Sequence, residues 1–431
     1  MENKINNNST GTFTALKAKK YRLFWTASIA SVGATQLLSL TAGKLVFDLS
    51  GSEFLLGLAA AVFGIGTILV NFLGGVVADR IDKRVLMIIT SFSMSISLFL
   101  LAIIDSLNYE TVLLVVIFSS IMGLISGFDW PVRSSIFPQF IDNKSQMMSA
   151  VALNAIIWQG LRILAPASGG FLIAYYGTHS VFFISAFGFF IMGLVMIIIK
   201  PNNIEKKTSK PKSIIKDTFE GINFISKNKL FKVLILSTYI TSGLGMSYLQ
   251  LLPSFSTIFR NTIHGDLSAQ MLGILLSAGG IGALTGSVIT ARLRTKINLG
   301  KLVLFSNVIS VVFLFLFGLS NNFIFEENIY QNPWISYNLI FSSLLIIFTG
   351  LFNSIFMIGS MSLLQLNVPE NLRGRVMGIH TITFSLMSAG ALFLGFLAQL
   401  LSSSIAVMLS AACLIIINLL IYLKNPDIRK I

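Results

Sequence analysis

Charge is scarce in this chain. Its 431 residues include 17 Asp and Glu against 31 Lys and Arg, and the four types together make up only 11% of it. Soluble globular chains carry roughly 25% charged residues, so the surface of a water-soluble enzyme is excluded. Cysteine occurs once, at Cys413 inside an apolar run, and no intrachain disulfide can form. With three histidines and that one cysteine there is no Cys/His ligand cluster, and no His-Glu-x-x-His pair occurs. Gly43-Lys44 and Gly300-Lys301 each run into leucine instead of the Ser or Thr that a P-loop needs. No metal, no cofactor and no enzymatic chemistry are therefore expected. The polar, Asn-rich start, with Lys4, Lys17, Lys19 and Lys20, lacks the short apolar core of a cleavable leader.

What the chain has instead is apolar length: 54% hydrophobic residues and a mean hydropathy of +0.82. A run of about 20 apolar residues crosses a hydrocarbon layer of about 30 Å as a helix. Reading such runs between charges predicts spans at 24–46, 54–78, 85–104, 111–131, 148–175 and 180–199. Six more follow at 230–258, 271–291, 302–319, 335–364, 376–400 and 405–422. The expected fold is all-α and polytopic, with twelve transmembrane helices in two bundles of six.

Numbering the connections alternately puts most of the positive charge on one side. Arg22, Arg80, Lys83, Arg84, Arg133, Lys144, Arg292, Arg294, Lys301, Arg373, Arg375 and Lys424 all fall there, whereas the other side holds little beyond Lys44 and Arg260. Basic residues accumulate in cytoplasmic loops, so both termini are expected in the cytoplasm. The net charge of +14 then reflects topology and attraction to an anionic bilayer, not nucleic acid.

A Lys-rich stretch interrupts the pattern at its midpoint, carrying Lys206, Lys207, Lys210, Lys212, Lys216, Lys227 and Lys229. It divides the chain into an N-terminal segment (1–23), a first bundle (24–199), a cytoplasmic basic linker (200–229) with an amphipathic helix near 213–226, a second bundle (230–423) and a tail (424–431). The bundles share local features. Gly74-Gly75-Val76-Val77-Ala78-Asp79-Arg80, leading into the basic turn after the second span, parallels Gly286-Ser287-Val288-Ile289-Thr290-Ala291-Arg292, leading into the one after the eighth. Likewise Ile141-Asp142-Asn143 parallels Pro369-Glu370-Asn371. Such placement is that of parallel six-helix repeats related by an axis along the membrane normal.

At these residues the sequence resembles the major facilitator superfamily. Gly75 through Arg84, with Asp79, Arg80, Lys83 and Arg84, is similar to that superfamily's signature after helix two, with Asp82 where a second glycine is usual. That variant, together with Phe128-Asp129-Trp130-Pro131-Val132-Arg133 and the segment from Pro369 to Val376, resembles the branch containing macrolide-efflux and enterobactin-exporter-like proteins. The resemblance implies a secondary transporter, expected as a monomer, and the polar start with no sizeable extramembrane domain fits a bacterial inner membrane. Such a transporter would export a small amphipathic solute, such as a drug, macrolide-like compound or siderophore, by proton antiport and alternating access. An importer or facilitator of the same fold and a non-transporting receptor or assembly factor on the same scaffold are the alternatives.

Several residues are candidates for mechanism. The resemblance implies a gating interlock at Gly75, Asp79, Arg80, Lys83, Arg84, Arg373 and Arg375. Asp129, Arg133, Arg162 and His380 are the coupling candidates, because an ionisable group within a span is functional by default and His titrates near neutrality. Asp129 is the nearest candidate partner for Arg162, with Arg133 one turn away competing for it. Pro166, Gly169 and Gly170 predict a kink in the fifth span where a neighbour packs closely. Family architecture implies a cavity lined by helices one, four, seven and ten, with Gln36, Ser120, Tyr239, Ser242, Tyr248, Gln250 and Asn353 as its polar and aromatic members. Gly243, Gly245 and Pro253 are expected to loosen the seventh span, and Lys44 to snorkel outward.

Overall fold

The computed structural model describes residues 13–80, 82–202, 214–259, 266–293, 298–321, 337–370 and 372–425, without the side chains of 71–80, 130, 144, 214–218, 258, 259, 293 and 384. Its long helices are α1 (Lys19–Ser50), α2 (Glu53–Arg80), α3 (Lys83–Ser106), α4 (Val112–Ile136) and α5 (Met147–Ile198). After the short α6 (Ile214–Lys227) come α7 (Lys229–Ile240), α8 (Tyr248–Phe255), α9 (Ser268–Leu293), α10 (Leu299–Ser320), α11 (Tyr337–Asn367), α12 (Arg373–Leu400) and α13 (Ser403–Lys424). Among the described residues, eleven stretches are long and apolar enough to span a membrane, with α7 and α8 joined as one.

One of the eleven, α5, is 52 residues long, about 78 Å of helix and more than twice the hydrocarbon thickness. Gly177 breaks it with φ 76° and ψ 170°, a conformation essentially confined to glycine. The two arms fold back on each other. Leu161 and Gly169 of the first arm and Gly188 of the second all lie against α1, and Arg84 at the start of α3 donates to the Met196 and Ile197 carbonyls at the end of the second. Counted as two crossings, α5 brings the spans to twelve. The loop expected around 176–179 is absent, because this glycine alone makes the turn.

Helices begin and end where the sequence offers caps. Asp82, standing where the signature has glycine, caps α3 by accepting from the Arg84 N–H at 2.8 Å. Asn298 does the same for α10, and Thr111 for α4. The first helix starts five residues before the apolar run because its amphipathic aromatics have partners: the Tyr21 hydroxyl donates to Ala150 O and Trp25 Nε1 to Leu153 O on α5. Pro131 does not end α4, which runs on to Ile136.

The end of the molecule holding the first residue of α1 and the last of α13 is termed the near end, and the opposite end the far end. Without a hydrophobic drive between apolar helices in lipid, association depends on close packing of small residues. The two halves meet in that way along α2 against α12 and α5 against α9. A Cβ on Gly57 would lie 2.4 Å from Ala391 O, one on Gly170 2.4 Å from Ala269 O, and one on Gly273 2.4 Å from Pro166 O. The expected helix-five motif is thus a joint with the other half. Beyond it, at the far end, the Ser52 hydroxyl donates to Gln399 Oε1 at 2.7 Å. These contacts run from mid-depth to the far end, so the described halves are sealed there.

Candidate functional site

A chamber of about 340 Å³, lined by residues of both halves, lies beside that seal. Its wall is formed by Thr35, Gln36 and Ser39 of α1, Ala60, Phe63 and Thr67 of α2, Ser119, Met122 and Ser126 of α4, Gln250 of α8, and Ser385, Met387 and Ser388 of α12, among others. Hydroxyls and two carboxamides alternate with methyl, thioether and phenyl groups. Among the described residues none that lines it is charged. Such a wall offers hydrogen bonds to a solute and withholds any fixed counter-ion.

The wall departs from the sequence expectation. Gln36 and Gln250 are on it, but Ser120, Tyr239, Ser242, Tyr248 and Asn353 are not, and α11, the tenth span, contributes no lining residue. Tyr239 instead donates to Ile379 O at 2.5 Å and Ser242 to Thr383 O at 2.5 Å, both fastening the seventh span to α12. Tyr248 is buried with its ring 6.0 Å from that of Phe317. Asn353 is buried with Oδ1 lacking a partner among the described residues, and Ser120 turns its carbonyl to Gly66 of α2. The missed walls, α2 and α12, carry the small residues of the joint. Their signal in the sequence was Gly57, Gly64 and Gly395, each of which meets the other half across the joint.

The seventh span changes its winding at the glycines expected to loosen it. Thr241–Met246, with Gly243 and Gly245, is a π turn between α7 and α8, a feature that recurs at functional sites. It is tied to its surroundings on three sides: Ser247 donates to Met387 O at 2.7 Å, Ser410 to Leu244 O at 3.0 Å, and Asn307 Nδ2 to Thr241 Oγ1 at 3.1 Å. Asn307 also donates to Asn418 Oδ1 at 2.9 Å. Pro253 packs on Gly43 of α1.

The coupling candidates separate into unlike groups. Asp129 accepts from Arg133 Nε at 3.1 Å and Nη2 at 3.4 Å, and from Thr90 of α3 at 3.5 Å. Arg133 is buried and extends Nη1 to Ser31 of α1 at 3.0 Å. The cluster ties three helices of the first half together and begins one turn from Ser126 on the chamber wall. The pairing of Asp129 with Arg162 does not occur, because Arg133, four residues along the same helix, occupies the carboxylate. Arg162 lies on α5, half-buried and without a hydrogen-bond partner among the described residues. His380 is buried with Nε2 unpartnered among the described residues. Lys44 does not snorkel; it is buried in an ion pair with Asp48.

The gating candidates at Gly75, Asp79 and Arg80 lie outside the described side chains. Arg84 bonds within the first half, as given above. Arg375 Nη1 reaches Glu220 of α6 at 2.5 Å, and Arg373 is exposed and Lys83 half-buried.

With the fold and chamber in place, comparison with known proteins is decisive. The model of the transmembrane secretion effector family, a branch of the major facilitator superfamily, matches residues 10–429. The chain belongs to this family. Similar proteins include the enterobactin exporter EntS of Salmonella typhimurium, 22% identical over 95% of this chain and 93% of that one. The staphyloferrin A transporter of Staphylococcus aureus is 22% identical over 84% and 85% of the two chains. Among solved structures, the nucleoside transporter NupG superposes with a TM-score of 0.74 at 14% identity, covering 94% of this chain and 98% of that one, which establishes the shared fold. This family member is a multi-pass membrane transporter, not an enzyme.

Proposed function

We propose that this family member is a proton-driven exporter of small amphipathic solutes, working as a monomer in a bacterial inner membrane with both termini in the cytoplasm. The observation that carries the reading is the chamber: walls from both halves, mixing hydroxyl and carboxamide groups with a larger apolar share and uncharged among the described residues, placed where a rocking of the halves about the α2–α12 and α5–α9 joints changes the side from which it opens. Amphipathic solutes bind such a surface through hydroxyl and amide contacts while their apolar parts meet Phe63, Met122 and Met387. The names of its relatives, an enterobactin exporter and a staphyloferrin A transporter, support export of siderophore-like or drug-like compounds.

For the driving ion, Asp129 is the candidate carboxylate. A proton on it would weaken its bonds from Arg133 and free that guanidinium from its place between α1 and α4, which links protonation to the packing of the first half. The test is flux in inside-out vesicles under an imposed pH gradient, with a panel of hydrophobic drugs and siderophores. Gradient-dependent uptake that disappears in Asp129→Asn is expected. If removal of the protein from cells lowers nutrient uptake and alters no efflux, the direction proposed here is wrong.

A further inference from the structure

The short helix α6, at the near end, has two unlike faces. On one, Gly221 lies so close to α12 that a Cβ there would fall 2.9 Å from Ile379 Cδ1 and 3.2 Å from Arg375 Cβ. Phe224 and Ile225 pack on the buried cluster that α7 shares with the rest of the second half, and the Phe224 ring meets that of Phe231 edge-on, with centroids 5.0 Å apart. Arg375 Nη1, at 2.5 Å from Glu220, adds an ion pair to this attachment. On the opposite side Phe219 and Ile222, one turn apart, are 66% and 48% exposed, with Asn223 and Ser226 exposed beside them.

Position decides what such a face meets. Only Asn228 separates α6 from α7: its N–H bonds back to Phe224 O at 3.2 Å, and its side chain caps α7 by accepting from the Leu230 N–H at 3.1 Å. A helix joined by one residue to the start of a span is held at the level of the bilayer surface, where the apolar face of an amphipathic helix sinks about 5–10 Å into the headgroup boundary. Charge at this place is mostly of one sign. Lys227, Lys229, Lys232 and, at the start of α12, Arg373 are exposed, while the Glu220 carboxylate is engaged by Arg375. The sequence leading to this face adds lysines at 206, 207, 210, 212 and 216 against Glu205 and Asp217.

We propose that the open face of α6 docks on anionic lipid headgroups at the near end and so moors the second half to that surface. Phe219 and Ile222 enter the headgroup boundary and the surrounding lysines meet the lipid phosphates. The mooring bears on transport because α6 is fastened to α12, the helix that carries Ser385, Met387 and Ser388 of the chamber wall.

The test uses the full-length protein with Cys413→Ala and Ile222→Cys, labelled at position 222 with nitrobenzoxadiazole. It is placed in nanodiscs of phosphatidylcholine alone and of phosphatidylcholine mixed with phosphatidylglycerol. Acrylamide, an uncharged quencher in the water, is expected to quench the dye about fivefold less in the anionic discs, the scale of one basic residue at a charged surface. A nitroxide lipid labelled at the headgroup should quench it more there. Raised salt, or Lys227→Gln/Lys229→Gln/Lys232→Gln at an unchanged melting temperature, should shrink the difference. The same label on Ser226→Cys, also on the open face, repeats the measurement if a cysteine at 222 disturbs folding. Equal acrylamide quenching in the two lipids overturns the proposal, whether high, as for a face in water, or low, as for a face covered by protein. A lipid difference that neither salt nor the triple variant reduces overturns it as well.

Discussion

Ser388 faces Gly64 so closely across the joint that a Cβ added to Gly64 would fall 2.2 Å from the Ser388 Cβ. Both residues also touch the chamber, so one contact serves as seal and as wall. A larger side chain at position 64 must therefore push α2 and α12 apart where the chamber is closed.

Gly64→Leu should open the far end. Overpacking costs about 1–3 kcal/mol, which reduces the sealed state roughly fivefold or more relative to a far-open one. With Cys413 replaced by alanine and Ser39 by cysteine, a membrane-impermeant maleimide supplied to the far side should label position 39 faster in the Gly64→Leu background. Unchanged labelling would show that the glycine is not what permits closure.

Gly177→Ala should destabilise the protein without altering the chamber. The position has φ 76° and ψ 170°, and a Cβ there would lie 2.9 Å from the His179 ring. Strain of this kind costs about 1–3 kcal/mol. A lower melting temperature in detergent, with solute binding retained below the transition, is expected; equal melting temperatures would contradict the turn described for this residue.

Removing Asp129 should harm stability more than removing the pair. Asp129→Ala leaves Arg133 buried without its carboxylate, and breaking a buried pair from one side costs about 3–5 kcal/mol. In Asp129→Ala/Arg133→Met the stranded charge is gone and much of the loss should return. Thermal unfolding of wild type, both single variants and the double closes the cycle, and strict additivity would mean that the two side chains do not act as a unit.

The sequence made some of these features readable and concealed others, for identifiable reasons. The spans were visible because a charge-free run has one meaning in a chain of this composition. Helix ends were not, since Tyr21 and Trp25 extend α1 by bonds to α5 that no local pattern announces, and Gly177 turns the chain without the polar loop that usually marks a reversal. The Asp129–Arg133 pair was legible as an i, i+4 spacing, and that same proximity excluded the longer-range pairing of Asp129 with Arg162. The chamber was the least legible. Its hydroxyls on α2 and α12, such as Thr67, Ser385 and Ser388, resemble the serines and threonines that elsewhere bond only their own helix, as Thr41 and Thr349 do. Only the placement of glycines opposite one another across two halves separates these cases, and that placement exists in three dimensions.

The absence of a loop at Gly177 has a mechanical meaning. A flexible connection between the arms of α5 would absorb movement, letting one arm shift while the other stayed still. A single-residue corner cannot stretch. Displacement of the arm that carries Pro166 and Gly170 must be handed on, undamped, to the arm whose last carbonyls are clasped by Arg84, so that a disturbance felt beside Arg162 at mid-depth is delivered to the rim of the bundle at the near end.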